Sequence, residues 1–308
     1  MIEKVELEKD SSADLGARSP KSESAQADAR MRRLARTMMQ SVVEYGLIAA
    51  GDHIMVAVSG GKDSYTLLDL LLRAQKRAPF RFELTAVHLD QRQPGYNGAP
   101  LRQWLEAHGG RFEIIEEDTY SEVVERTPAG KAYCAICSRL RRGILYTAAQ
   151  RLGCNKIALG HHRDDALETL LLNLVYGGRL QAMPASYRTD DGRFEVIRPL
   201  IECAESEIAA HARDANYPIL PCNLCGSQEK LQRDEMARVL VELEARNPRV
   251  RSSMLAALKN VRPSHLLDRK VAEVWRDRPE SPEDEESTSS TQRLITLGRP
   301  PAKPGLSG

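Results

Sequence analysis

No apolar run in this chain approaches the roughly 18–20 residues needed to cross a bilayer. Met1 to Arg30 is rich in Ser, Ala and charge and lacks the apolar centre of a secretory signal. Neither a membrane span nor export is expected, and the cytoplasm is the expected location. Neither sign of charge prevails: 44 Lys and Arg face 43 Asp and Glu, a formal +1. Glu280, Glu283, Asp284, Glu285 and Glu286 concentrate acid near one end, so the remainder is more basic than the total. That balance neither implies nor excludes a nucleic-acid partner, because the distribution of charge decides it. Six cysteines in 308 residues, without an export signal, do not make a disulfide framework. Internal repeats are absent.

With 42% hydrophobic residues the chain can build a real core. Residues 1–28 and 276–308 read as disordered tails, polar and without periodicity, around a working domain at 29–275. A basic helix over 30–46, with Arg30, Arg32, Arg33 and Arg36, opens that domain. Ile54 to Val58 is a short continuous apolar run, as a strand buried on both faces requires. Further strands are expected at Leu84–Leu89, Phe112–Ile115 and Lys156–Leu159, with helices at Ser64–Arg77, Leu101–His108 and Ser138–Leu152. Leu167, Leu170, Leu171, Leu174 and Val175 mark the inner face of another helix, ending at Gly177-Gly178. The alternation predicts an α/β fold, a parallel sheet with helices on both faces. Ligands of such sheets bind beyond the carboxyl ends of the strands.

Two segments fall at such ends. Ser59-Gly60-Gly61-Lys62-Asp63-Ser64 joins the first strand to a helix. Paired glycines allow a tight turn that aims backbone N–H groups at phosphate oxygens, and the helix N-terminus and Lys62 add positive potential. It is not a Walker loop, which needs Gly where Val56 stands and Ser or Thr where Asp63 stands. Gly160-His161-His162-Arg163-Asp164-Asp165 follows the fourth strand and opens the Leu-rich helix. It brings two histidines and two carboxylates toward the same edge. A plainer reading makes Asp164 a helix cap in a solvated turn.

Four cysteines form two C-x-x-C pairs, Cys134/Cys137 and Cys222/Cys225, whose spacing lets both thiolates of a pair reach one ion or cluster. Structural zinc, a redox dithiol and an iron–sulfur cluster all remain open on spacing. Cys154 and Cys203 stand alone and read as small buried hydrophobes. Arg139, Arg141 and Arg142 follow the first pair. With Arg32 and Arg33 they are candidates to track RNA phosphates, against the plainer reading of solvated helix faces.

The loop SGGKDS resembles the PP-loop of the ATP pyrophosphatase superfamily, whose members adenylate a carbonyl oxygen and release pyrophosphate. That likeness implies a PP-loop (HUP-like, Rossmann-like) core with helical N- and C-terminal additions. It also implies ATP on residues 59–64 and Gly160, with Asp63 holding Mg2+ and His161, Asp164 or Asp165 near the reacting phosphate. SGGKDS, Cys134-x-x-Cys137-Ser-Arg-Leu-Arg-Arg-Gly, Gly160-His-His-Arg-Asp-Asp and Pro221-Cys-Asn-Leu-Cys-Gly-Ser-Gln228, in order, resemble the tRNA 2-thiocytidine synthetase family over about residues 30–270. The resemblance implies a [4Fe–4S] cluster on Cys134, Cys137 and Cys225, with Cys222 as the alternative third ligand, and one iron left open. It further implies a transferase that thiolates cytidine 32 of tRNA through an adenylated base, a cysteine desulfurase as sulfur donor, and a homodimer. Its rivals are lysidine or thiouridine synthetases, and a zinc-stabilised RNA-binding module without turnover.

Overall fold

The computed structural model describes residues 20–108, 110–127, 134–220 and 228–276, with backbone alone at 20–23, 134–135 and 228–231. Helix α1 (Pro20–Glu44) leads into strand β1 (His53–Ala57), helix α2 (Lys62–Gln75), strand β2 (Glu83–Asp90), helix α3 (Ala99–Ala107) and strand β3 (Arg111–Glu116). Helices α4 (Thr119–Arg126) and α5 (Cys134–Arg151) follow, then strand β4 (Lys156–Ala158) and helix α6 (Arg163–Val175). The short strands β5 (Ser186–Arg188) and β6 (Glu195–Ile197) precede helices α7 (Glu205–Asp214), α8 (Gln228–Arg246) and α9 (Val250–Lys259). Chain contacts separate residues 1–255 from 256–308. Within the second unit lie a 3-10 turn at Pro263–His265 and helix α10 (Arg269–Arg276). None of the described helices is long and apolar enough to cross a membrane.

The strands form one sheet in the order β3-β2-β1-β4-β6-β5, parallel except for β5, which runs antiparallel to β6. Side chains alternate across a strand, so β1 buries Ile54 and Val56 on one face and Met55 on the other. That two-sided burial is why its sequence is continuously apolar. The larger core joins Leu34 and Met38 of α1, Leu67 and Leu71 of α2, Leu101 and Trp104 of α3, and Ile208 of α7. The opposite core joins Met55, Val87, Ile157 and Val196 to Ala148 and Ala149 of α5. Each fully buried Leu or Ile contributes about 1.5–3 kcal/mol. Lys156 is also buried, but its ammonium donates to Leu47 O at 2.9 Å and pairs with Asp52 at 3.0 Å. It stabilises the amino-terminal side of the sheet and takes no part in the site.

The four expected strands and the parallel sheet are present. Helix α1 starts at Pro20, so residues 20–28, expected to be disordered, are helical. Proline suits a first helical turn, and Ser, Ala, Glu and Gln carry the helix without an apolar stripe, which begins only near Leu34. Strands β5 and β6 were not expected, being too short at three residues each to show a period. Residues 1–19 and 277–308, most of the expected tails, and the pair Cys222/Cys225 lie outside the described residues.

Candidate active site

Parallel pairing delivers the carboxyl ends of β1, β2, β4 and β6 to one edge of the sheet. From β1 the chain enters Ser59–Ser64. Gly60 sits at φ +85°, where only glycine is comfortable, and a Cβ there would meet Leu220 Cδ1 at 2.7 Å. The Leu220 N–H donates to Gly60 O at 2.9 Å, so the chain leaving α7 returns to this loop. Buried Ser64 braces the turn. Its hydroxyl donates to Gly61 O (2.9 Å) and accepts from the Ser59 N–H (3.1 Å) and the Ser59 hydroxyl (3.2 Å). Both hydroxyls are thus engaged within the loop. No side chain caps α2, so its first-turn amides and positive end face outward together with Lys62.

Lys62 lies 3.1 Å from Asp63 Oδ1 and 3.0 Å from Glu205 Oε1. Burial lowers its ammonium pKa, but the two carboxylates outweigh it and hold the pKa above the ordinary lysine value. Asp63 Oδ1 is buried and, beyond its ion pair with Lys62, accepts no hydrogen bond among the described residues. A buried carboxylate oxygen held only by one ammonium, beside a turn that aims amides outward, suits a hard divalent cation, and Mg2+ fits here. His162 Nε2 stands 3.7 Å from the same oxygen.

From β4 the chain enters Gly160. A Cβ on Gly160 would lie 3.1–3.2 Å from the backbone of Asp63 and Ser64, so glycine lets this loop press against the first turn of α2. His162, not Asp164, caps α6: its Nδ1 accepts from the Asp165 N–H at 3.4 Å while Asp165 Oδ2 accepts from the His162 N–H at 3.0 Å. Asp164 is buried and turned elsewhere. Its carboxylate accepts from the Glu205 N–H (2.7 Å) at the start of α7, Arg251 (2.6 Å) and Arg163 (3.2 Å). Burial raises its pKa, and the Glu205 amide and the two arginines more than reverse that. Asp164 therefore ties α6 to α7 and Arg251, whereas Asp63 pairs with Lys62 beside the loop. His161 accepts from Arg198 Nε at 3.3 Å, and burial pushes its pKa down to about 4, so the ring is neutral at neutral pH. Glu168, buried on α6, has its pKa raised to about 7 by burial and by Asp165, with Arg233 opposing at 3.9 Å.

From β2 the chain passes through Gln91. Its Oε1 accepts from Thr119 Oγ1 (3.2 Å) and from Cys137 Sγ (3.4 Å). Cys137 is half-buried, with no other hydrogen bond to its sulfur among the described residues. A half-buried thiol near the first turn of α5, at the nucleotide edge, fits ligation of a soft metal or cluster. The side chains of Cys134, Cys222 and Cys225 lie outside the described residues. Cys154 and Cys203 are core residues whose thiols burial pushes up to about 11 and about 12. Arg139, Arg141 and Arg142 are exposed on α5. Arg32 is exposed, but Arg33 pairs with Glu207 at 3.0 Å on α7 and is less available to a ligand than expected.

Glu205, Gln91, Arg251 and Leu220 escaped the sequence reading. Each touches the site from a distant part of the chain and carries no local motif. Glu168 left a trace: a carboxylate one turn after Asp165, inside a Leu-rich stripe.

A glycine-braced loop and an uncapped helix at the carboxyl edge of a parallel sheet define a nucleotide-binding α/β protein. Residues 28–220 match the family described as a PP-loop domain. A tRNA-cytidine(32) 2-sulfurtransferase of Sorangium cellulosum is 56% identical over 237 residues, covering 77% of this chain and 84% of the relative. The enzyme of that name in Azotobacter vinelandii is 53% identical over 240 residues, covering 78% and 88%. Among solved structures, the U34-tRNA thiolase NcsA from Methanococcus maripaludis, with its [4Fe-4S] cluster, aligns at TM-score 0.60 and 20% identity. That match covers 83% of this chain and 90% of the thiolase, a likeness of fold. The chain belongs to the PP-loop family, in the branch of the tRNA-cytidine(32) 2-sulfurtransferases.

Proposed function

We propose that this protein uses ATP to exchange the C2 oxygen of cytidine 32 in tRNA for sulfur. The observation that carries the reading is identity above half, across most of both chains, to relatives named for that reaction. The intact loop geometry and the Cys137 thiol at the same sheet edge support it.

ATP lies with its phosphates on the amides of Gly60 to Asp63 and on Lys62, and Asp63 would hold Mg2+. The cytidine C2 oxygen attacks the α-phosphorus, pyrophosphate leaves, and the adenylated base becomes susceptible at C2. Lys62 and the positive end of α2 stabilise charge on the departing pyrophosphate, as phosphoryl transfer requires. The His162 cap fixes the start of α6 beside the Gly160 loop, and neutral His161 is held by Arg198. Sulfur then bonds to C2 and the C2–O bond breaks, releasing AMP. A [4Fe–4S] cluster held by Cys134, Cys137 and Cys225, with Cys222 as the alternative third ligand, would supply an open iron for the incoming sulfur. A cysteine desulfurase is the expected donor, and the enzyme is expected to work as a cytoplasmic homodimer. Arg139, Arg141, Arg142 and Arg32 would meet RNA phosphates.

The test is single-turnover incubation of cluster-loaded protein with unmodified tRNA, sulfide and ATP. AMP, pyrophosphate and 2-thiocytidine should appear together. Consumption of no ATP would overturn the proposal, and activity retained in Cys137→Ser would favour a cysteine-independent PP-loop ligase.

A further inference from the structure

Gly143 stands inside α5, where glycine is destabilising because it loses more backbone freedom than alanine. Packing usually explains such a residue, as it does for Gly160. At Gly143 a Cβ would meet nothing within 4 Å among the described residues, and the backbone is not left-handed. Nothing described in the folded chain needs this glycine.

Gly143 is exposed and lines an open cavity of about 400 Å³ together with Arg139, Ile144, Thr147, Arg151 and Glu117. Arg139 is four residues away on the same helix face, and Arg142 is the adjacent residue. Arg139 and Arg142 form no ion pair with a described carboxylate, whereas nearby Arg92, Arg126 and Arg151 are each held by a glutamate. Glu117 is the opposing charge in the lining. The surface therefore offers two guanidinium groups without a described carboxylate partner, Arg142 donating only to Ser138 O at 3.4 Å, around a bare stretch of helix backbone. Six residues separate Gly143 from Cys137, about 9 Å of helix rise.

We infer that the phosphate backbone of the tRNA substrate crosses α5 at Gly143, held between Arg139 and Arg142. This deepens the proposed function and rests on it. Glycine lets a sugar–phosphate chain come close to the helix where any side chain would hold it off. The guanidinium groups supply the charge-assisted contacts that fix its path.

The test is equilibrium binding of an unmodified tRNA transcript to the full chain across a salt series. Arg139→Ala and Arg142→Ala should each weaken binding about three- to tenfold and flatten the salt dependence by about one phosphate contact. Gly143→Leu should weaken it more than about tenfold while melting no lower than the parent, since leucine favours the helix. Arg81→Ala, an exposed arginine just before β2 at the amino-terminal edge of the sheet, should bind as the parent does. Gly143 variants that bind tRNA like the parent at every salt concentration would overturn the inference, as they would if a protein covered this face. A parent chain that fails to bind tRNA would overturn the proposed function itself, which separates the two failures.

Discussion

Glu168 shows how a single buried group can record its surroundings. Its folded pKa of about 7 lies above the ordinary carboxylate value because burial and Asp165 disfavour the charge. The unfolded chain ionises first as pH rises, so the stability Glu168 contributes is full below about pH 4.5 and is lost as pH rises through about 7. Glu168→Gln should therefore melt higher than the parent at pH 8, by an amount on the order of 1–3 kcal/mol, and similarly to it at pH 5. Thermal melts at the two pH values check this, and equal shifts at both would refute it. His161 has the opposite sign. Its pKa is depressed to about 4, so its contribution is present above about pH 6.5 and declines as pH falls through about 4. A buried carboxylate in a leucine stripe is visible in a sequence. The partners that set its pKa are not.

At the scale of elements, the β4–α6 loop and the first turn of α2 touch through Gly160. Gly160→Ala places a methyl about 3.1 Å from the Asp63 carbonyl carbon, and backbone cannot yield as a flexible side chain can. The cost should be on the order of 1–3 kcal/mol of stability. The same displacement should cut pyrophosphate release about tenfold through misplaced amides. Melting and single-turnover kinetics on one preparation separate the two effects. A variant with parental turnover would mean that this contact does not position the loop. The elements themselves were largely legible. β1 and β2 announce themselves by apolar runs, and α6 by its leucines. The loops stood out because Gly-Gly-Lys-Asp and His-His-Arg-Asp-Asp follow strands. What escaped was tertiary: Asp164 suits a helix cap in sequence, yet its partners are Glu205 and Arg251, 41 and 87 residues away. β5 and β6, three residues each with no motif behind them, carry too little pattern to be found, whereas equally short β4 is marked by the His-His-Arg-Asp-Asp segment that follows it.

For the molecule as a whole, the cysteines divide by burial. Cys154 and Cys203 belong to the core, whereas Cys137 stands at the nucleotide edge. Purified without oxygen, the protein should contain iron and sulfide and absorb broadly in the visible. Cys137→Ser should lose that iron and colour, while Cys203→Ser keeps them and melts lower. Metal analysis decides it, and a colourless protein holding zinc would favour a structural ion instead.

The hydrogen bond from Leu220 to Gly60 joins the first part of the chain to a segment 160 residues later, two residues before Cys222. Any rotation of the Gly60 peptide must either break that bond or tug on the segment that ends at Leu220. The loop after β1 and the segment after α7 are thus mechanically geared: whatever settles on the glycines is felt at Leu220.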